Sequence, residues 1–257
     1  MRRFFVERMA PEDDQVRVTS PEADHITRVL RMGPGDRLIL MDGTGTRFQA
    51  VIRSTRPGEV LLGLERSLPA PSPSPVEMTL CASLLKSRPM DLMIQKTSEL
   101  GVHRIQPTLF ARTSVRLPQN RVESRLRHWR EIARSAAKQA DRAVPAHVEG
   151  PRAFEDVLME WRESRLPKAL LYEGEASMDL KTLLRRTPPE KGIAMVVGPE
   201  GGFTPGEVDA AQAAGFVPVS LGRRILRAET AGMAVVTVVQ YEWGDLGIEN
   251  ASRKTKG

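Results

Sequence analysis

A glycine-rich segment follows an apolar run in the C-terminal third of the chain. Its sequence is Gly198-Pro199-Glu200-Gly201-Gly202, between a strand candidate at 193–197 and a helix candidate that begins at Pro205. Turns at the carboxyl ends of parallel strands are where α/β proteins bind ligands, and glycine lets a backbone approach a ligand closely. The alternative is a tight turn without a ligand. Glu200 weakens that alternative, because a glycine turn has no structural need for a carboxylate.

A second unusual segment follows the strand candidate 217–221 and leads into an apolar helix. Its sequence is Leu221-Gly222-Arg223-Arg224-Ile225-Leu226-Arg227-Ala228-Glu229-Thr230-Ala231. The simple interpretation is a helix start, in which Glu229 complements the helix dipole and the arginines are solvated. That interpretation does not account for Ile225 and Leu226 between arginines in a loop. The two segments are therefore the candidate functional loops.

Other common catalytic motifs are absent from the sequence. It has no GxGxxG after a strand, no GxxxxGK[ST], no HExxH and no GxSxG. The four histidines, His25, His103, His128 and His147, are scattered, and the single cysteine, Cys81, lies in an apolar run typical of a buried side chain. We therefore expect no metal site and no cysteine or serine nucleophile.

The composition restricts the cellular setting. One cysteine excludes intramolecular disulfides and fits a reducing cytoplasm. No stretch approaches the ~20 apolar residues that cross a bilayer, and the N-terminus lacks the long apolar core of a secretory signal. The sequence therefore predicts a cytoplasmic protein that does not span a membrane.

Positive charge is concentrated in one segment of the chain. The net charge is +6, from 38 basic and 32 acidic residues. Between residues 112 and 142, eight arginines and Lys138 face only three acidic residues. Such a basic stripe is typical of phosphate-backbone binding, although a solvated helix face is a common alternative.

An alternating Pro/Ser linker at 69–75 divides the chain, because it suits neither a helix nor a central strand. Residues 1–68 favour a small barrel of five or six short strands, with candidates at 4–7, 16–19, 37–41, 47–54 and 59–65. One helix interrupts them, with Ser20 as its expected N-cap and Pro21 in its first turn.

Residues 76–249 alternate between strand and helix patterns. Strand candidates are 76–84, 104–110, 146–149, 169–172, 193–197 and 217–221, and helix candidates are 89–100, 120–140, 154–163, 180–185 and 205–214. Alternation of this kind predicts a parallel sheet with helices on both faces. We interpret 229–243 as a helix that is apolar all round, and 250–257 as a disordered tail.

At these motifs the sequence resembles the RsmE family, bacterial methyltransferases of the SPOUT class that act on N3 of a uridine in 16S ribosomal RNA of the small subunit. The resemblance rests first on the two C-terminal loops described above. Further matches are His25, Val29-Leu30-Arg31, Gly35-Asp36, Asp42-Gly43, Leu85-Lys86, Met90-Asp91, Gln95-Lys96, Glu99-Leu100-Gly101-Val102, Trp129, Ala133, Gln139-Ala140-Asp141-Arg142 and Val144-Pro145. The resemblance covers nearly the whole chain.

The resemblance implies an α/β protein with a PUA-like N-terminal β-barrel that binds RNA and a SPOUT parallel-sheet domain with a trefoil knot. It also implies S-adenosyl-L-methionine as cofactor, a homodimer, and 16S ribosomal RNA or the small ribosomal subunit as partner. The implied cofactor-binding residues are Leu171, Glu173, Gly198, Glu200, Gly201, Gly202, Leu221, Gly222, Ile225, Leu226 and Thr230. The implied RNA-binding residues are Arg3, Arg28, Arg31, Lys86, Arg88, Gln139 and Arg142.

Methylation at N3 requires removal of an imide proton and stabilisation of the charge left on O2 and O4. A carboxylate can take the proton and an arginine can stabilise the anion. Glu229 and Arg227 fit these roles, with Glu200 as the alternative base. Two other functions stay open: a non-catalytic RNA-binding or ribosome-assembly protein, and a SPOUT enzyme that methylates another atom such as a ribose 2′-hydroxyl.

Overall fold

The described residues form two compact units. The computed structural model describes residues 1–6, 9, 13–174, 176, 178–187 and 191–246. The first unit combines Met1–Pro73 with Arg134–Pro145, and the second combines Ser74–Ala133 with the residues from Ala146 onward. The segment Arg134–Pro145 thus differs from the sequence-based division, whose boundaries at 68 and 76 stay predictions. The predicted tail 250–257 and Glu7 of the first strand candidate lie outside the described residues.

The first unit is built on a five-stranded sheet. Its strands are β1 (Arg3–Phe5), β2 (Gln15–Thr19), β3 (Arg37–Met41), β4 (Arg47–Arg56) and β5 (Glu59–Ser67), in the order β1-β3-β4-β5-β2. The β1–β3 pair is parallel and the other pairs are antiparallel. Phe4, Leu38, Leu40, Ile52 and Leu62 fill one core beneath this sheet. This architecture matches the predicted small N-terminal β-domain.

The helix between β2 and β3 is short. The α-helix α1 (Glu22–Asp24) continues into one π-helical segment, His25–Val29. Pro21 occupies the N-cap position without a side-chain cap bond. The predicted Ser20 cap is therefore wrong, because the helix begins at Glu22 and Ser20 lies one residue before the N-cap position; the Ser20 hydroxyl donates to Asp24 Oδ2 over 2.7 Å.

The second unit is an eight-stranded parallel sheet with helices on both faces. Its strands are β6 (Glu77–Ser83), β7 (Arg104–Leu109), β8 (His147–Val148), β9 (Arg152–Ala153), β10 (Lys168–Leu171), β11 (Met178–Asp179), β12 (Gly192–Val197) and β13 (Val217–Ser220). Their order is β11-β13-β10-β12-β6-β7-β8, with β9 also paired to β7. The helices are α2 (Ser87–Glu99), α3 (Gln119–Ala140), α4 (Phe154–Arg162), α5 (Leu180–Arg186), α6 (Pro205–Ala213) and α7 (Ala228–Glu242). The part of α3 from Arg134 onward belongs to the first unit.

Alternate residues of the central strands pack on opposite faces of this sheet. Met195 and Val197 of β12 enter one core with side chains of α2, α3, α5 and α7. Ala194 and Val196 enter a second core with α4 and α6. This two-sided burial explains why the strands read as continuous apolar runs. The predicted α/β architecture is confirmed, and only the two-residue strands β9 and β11 were not predicted in this unit.

No helix among the described residues is long and apolar enough to cross a membrane. The predicted apolar helix near the C-terminus is present as α7. Val235, Val236 and Val239 of α7 are fully buried within the same chain. Only part of the helix circumference is therefore left for another partner.

Glu207 joins the start of α6 to the loop after β7. Its carboxylate accepts hydrogen bonds from the Thr204 amide at 2.7 Å and from the Ala111 amide at 2.8 Å. The Thr204 hydroxyl accepts from the Glu207 amide at 3.2 Å, which completes the predicted capping box. One buried carboxylate thus satisfies donors from two separate segments.

We predict that Glu207→Ala lowers the free energy of unfolding by ~1–3 kcal/mol, because it leaves two amides without an acceptor. Urea denaturation of the full chain measures this change. Glu155→Ala is the matched control, since Glu155 is an exposed acid in the first turn of α4 and its loss should stay within about 0.5 kcal/mol. Equal midpoints for the two variants would contradict the prediction.

Candidate active site

A cavity of about 590 Å³ opens at the carboxyl edge of the parallel sheet. Strand β10 lies between β13 and β12, so the segments that follow these three strands meet at one place. Residues from 171–173, 197–203 and 219–231 line the cavity. The two loops singled out in the sequence therefore belong to one site, and a third segment after β10 completes it.

Most of the predicted cofactor-binding residues line this cavity. They are Leu171, Glu173, Gly198, Glu200, Gly202, Leu221, Gly222, Ile225 and Leu226. Gly201 and Thr230 do not line it. Glu200, Gly202 and Ala231, which are their neighbours in sequence, do line the cavity. The sequence predicted the loops correctly but not which residues of each loop face the cavity.

Gly201 faces the loop after β7 instead of the cavity. A Cβ atom at Gly201 would lie 3.1 Å from the Arg112 Cβ. The Arg112 guanidinium donates to the carbonyl of Gly201 at 3.1 Å and to that of Phe203 at 3.4 Å. Arg112, part of the predicted basic stripe, therefore holds the glycine loop in place.

Two glycines are required by the local geometry of the cavity loops. A Cβ at Gly198 would lie 2.8 Å from the Phe203 ring, which itself lines the cavity. Gly222 has a φ of +112°, a backbone conformation that side-chain-bearing residues rarely adopt. Gly198 thus leaves room for the Phe203 ring, and Gly222 lets the backbone adopt a turn that other residues rarely allow.

The predicted catalytic residues are placed differently from one another. Arg227 and Glu200 are exposed and line the cavity. Glu229 does not line it and is only 8% exposed, in the first turn of α7. Its carboxylate has no hydrogen-bond or ion-pair partner within the part of the chain that the structure describes.

Sequence reasoning missed several cavity residues. Tyr172, Phe203, Arg223, Arg224 and Ala231 all line the cavity. Tyr172 lies between two predicted residues directly after β10, so the strand end itself was the available signal. Ala231 belongs to the second candidate loop but was not singled out, because a small residue in an apolar helix is usually only a packing position.

Five of the seven predicted RNA-binding residues lie in the first unit: Arg3, Arg28, Arg31, Gln139 and Arg142. Lys86 and Arg88 lie in the second unit, at the start of α2, and both are exposed. Arg3 is bound to Asp141, with Nε 2.6 Å from Oδ1. Arg28 pairs with Asp24 at 3.0 Å but stays largely exposed.

Several basic residues of the 112–142 stripe already have partners in the structure. Arg125 donates to Ser87, Arg130 donates to the Val148 carbonyl, and Arg134 lies over the Phe5 ring. Lys138 binds Glu22 at 2.6 Å. The side chains of three further arginines are exposed and have no hydrogen-bond or ion-pair partner among the described residues: Arg116, Arg121 and Arg127. These three are the stripe residues most available to an anionic ligand.

Cys81 is fully buried, and burial raises the pKa of its thiol to about 12. A thiol with such a pKa stays protonated near neutral pH and is a poor nucleophile. Within the described residues, no group of three or more histidine, cysteine, aspartate or glutamate side chains is arranged to hold a metal ion.

Two regions of this chain match known protein families. A profile described as an RNA methyltransferase domain matches residues 72–240, and one described as an RNA methyltransferase PUA domain matches residues 18–65. The chain is 27% identical over 250 residues to ribosomal RNA small subunit methyltransferase E of Bacillus subtilis, covering 94% of this chain and 97% of that protein. It is 32% identical over 226 residues to the Synechocystis protein of the same name, covering 87% and 73%.

A solved structure shares the fold. The ribosomal RNA small subunit methyltransferase E from Neisseria gonorrhoeae, bound to S-adenosyl methionine, is 31% identical and superposes with a TM-score of 0.87. The match covers 95% of this chain and 99% of that one. The chain belongs to the ribosomal RNA small subunit methyltransferase E family and is an RNA methyltransferase.

Proposed function

We propose that the 590 Å³ cavity binds S-adenosyl-L-methionine and that the protein methylates N3 of a uridine in 16S ribosomal RNA. The observation that carries this proposal is the meeting of both C-terminal loops around one cavity that Arg227 also lines. The volume lies within the ~300–1,000 Å³ range of small-molecule sites. A ribosomal substrate also fits the cytoplasm predicted from the sequence.

The lining residues suit the chemistry of this cofactor. Leu171, Leu221 and Leu226 offer apolar surface to an adenine ring. Glu173 and Glu200 offer carboxylates to the cationic sulfonium and amino groups. When bound, the cofactor supplies an electrophilic methyl group, which N3 attacks while the carbon–sulfur bond breaks and sulfur keeps the electron pair.

The chain's own residues must remove the N3 proton and stabilise the charge that remains. Arg227 lines the cavity and can donate hydrogen bonds to a uracil oxygen that carries this charge. Glu200 lines the same cavity, whereas Glu229 is buried at the start of the helix that follows Arg227. The geometry favours Glu200 as the proton acceptor and leaves Glu229 as the alternative.

We propose that the first unit provides much of the RNA affinity. It contains five of the seven candidate RNA-binding residues, and its sequence matches a PUA domain of RNA methyltransferases. Arg28 and Arg31 are exposed there, and Arg31 has a positive φ of 54°. Exposed arginines of this kind bind phosphate without reading the base.

We also propose that the protein acts as a homodimer through α7. Met233, Ala234, Thr237 and Val238 of this helix are partly exposed, and Tyr241 is 69% exposed. Their spacing places them on one side of the helix, opposite the buried valines. An apolar strip of this kind is suited to a two-fold interface that uses the same surface twice. The trefoil knot implied by the resemblance stays a prediction.

We predict that Ala231→Leu weakens cofactor binding at least about tenfold, because the added atoms enter the cavity that Ala231 lines. Isothermal calorimetry with S-adenosylmethionine measures this. Ala210→Leu is the matched control, since Ala210 is exposed on α6 and does not line the cavity. Unchanged affinity in the Ala231 variant would argue against the proposed cofactor site.

We predict that Glu200→Gln lowers kcat about 10²–10⁴-fold, the usual contribution of a general base, while Glu229→Gln has a smaller effect. Methyl transfer to ribosomal RNA from a strain that lacks the enzyme measures both. Mass spectrometry of the product locates the methyl group on N3 or on the ribose. The reverse order of the two variants would make Glu229 the proton acceptor.

We predict that the wild-type protein sediments as a dimer and that Ala234→Arg converts it to a monomer. The arginine adds a charge to the partly exposed side of α7 without touching the buried valines. Val236 is unsuitable for this test, because its full burial makes any charge there a folding defect. Ala213→Arg on the exposed side of α6 is the control and should stay dimeric. A fully active wild-type monomer would rule out the proposal.

A further inference from the structure

A second cavity, of about 320 Å³, lies at the carboxyl end of β7. Its walls include Leu109 at the end of the strand, Val115 and Leu117 in the following loop, and Val122 in the first turn of α3. Arg116 also lines it. None of these residues contributes to the 590 Å³ cavity.

The two cavities open on the same edge of one sheet. Strands β12, β6 and β7 are consecutive neighbours and all run parallel, so their carboxyl ends form one continuous edge. Neighbouring strands lie ~4.8 Å apart, so the ends of β12 and β7 are separated by about 10 Å. A ligand that extends along this edge can reach both cavities.

Hydrogen bonds fix the loop between the two cavities. Arg112 holds the carbonyls of Gly201 and Phe203, and the Ala111 amide donates to Glu207 at 2.8 Å. The Phe110 amide donates to Thr113 Oγ1, also at 2.8 Å. These bonds join the loop that follows β7 to the segment that follows β12.

The chemistry of the second cavity combines exposed apolar surface with an available cation. Leu109 is 39% exposed although it ends a strand of the core sheet. Arg116 is exposed and has no hydrogen-bond or ion-pair partner in the described part of the chain. A single-stranded nucleotide presents the complementary features, a flat base and an anionic phosphate.

We propose that the second cavity binds one nucleotide of the substrate RNA, close in sequence to the nucleotide that is methylated. The base lies against Leu109, Val115 and Val122, and Arg116 binds the adjoining phosphate. The volume is near the lower end of the ~300–1,000 Å³ range of ligand sites, which suits one nucleotide better than a larger ligand. This inference rests on the proposed function in taking RNA as the substrate and the methylated nucleotide as the reference position.

The contact between Arg116 and the phosphate is tested by Arg116→Gln against Arg162→Gln. Both arginines are exposed, their side chains have no hydrogen-bond or ion-pair partner among the described residues, and both variants lose one positive charge. Arg116 lines the cavity, whereas Arg162 lies in the last turn of α4, outside the basic stripe and both cavities. Fluorescence anisotropy with a labelled fragment of 16S ribosomal RNA measures affinity. We expect about tenfold weaker binding for Arg116→Gln and no more than about twofold for Arg162→Gln. Equal losses would mean that Arg116 acts only through general charge.

The proposed binding of a base in the cavity is tested with a variant that fills the cavity. Val122→Trp places a large side chain where the base would lie, and thermal unfolding verifies that the variant is folded. A series of RNA fragments, each with one abasic nucleotide near the methylated position, is bound to both proteins. We expect one abasic position to weaken binding to the wild type about tenfold and to leave the Val122→Trp variant unaffected. The inference is overturned if every abasic fragment affects both proteins equally.

The outcomes separate this inference from the proposed function. Cofactor calorimetry and product analysis of the wild type report on the 590 Å³ cavity alone. A wild type that methylates RNA while no abasic position distinguishes it from Val122→Trp would overturn the second site and keep the function. A wild type that shows the abasic pattern without methylating would support the second site and overturn the function.

Discussion

Two-sided burial of the parallel sheet is the constraint on which the site depends. All six residues of β12 are buried, and so are all but the first residue of β6. These two strands carry no charged side chain after Glu77, and a buried polar group such as the Ser83 hydroxyl has a partner, Thr113, because an unpaired polar group would be costly in the core. Polar and charged groups therefore concentrate at the strand ends. The sheet order then decides which of these ends share a cavity.

The loops at this edge are held by a few strong polar contacts. Glu207 and Arg112 each bind backbone groups of a segment far away in sequence, and both act on the stretch between β12 and α6. A hydrogen bond from or to a charged group contributes more than a neutral one. The glycine loop keeps a fixed shape for this reason, although three of its five residues are glycines.

The periodicity of the sequence predicted most of the second unit, since strands buried on both faces and amphipathic helices leave distinct patterns. Side-chain direction within a loop leaves no such pattern. Gly201 faces Arg112, and Glu229 is buried although Arg227 and Thr230 are exposed, as only the backbone path reveals. The Ser20 cap failed because the helix begins at Glu22, so that Pro21 and not Ser20 occupies the N-cap position. The two-residue strands β9 and β11 left no pattern in the sequence either, because they are too short for one. They form only because β7 and β13 lie beside them in the sheet.

Arginine counts alone do not identify an RNA surface in this protein. Four arginines of the basic stripe already contact groups of the protein itself, so they are less available to RNA: Arg112, Arg125, Arg130 and Arg134. Phosphate contacts, moreover, add affinity for any RNA without distinguishing one base from another. Discrimination between nucleotides must come from concave surfaces that enclose a base. Both cavities described above lie at the carboxyl edge of the sheet in the second unit, so the two proposals assign choice of the target and the chemistry to the same edge.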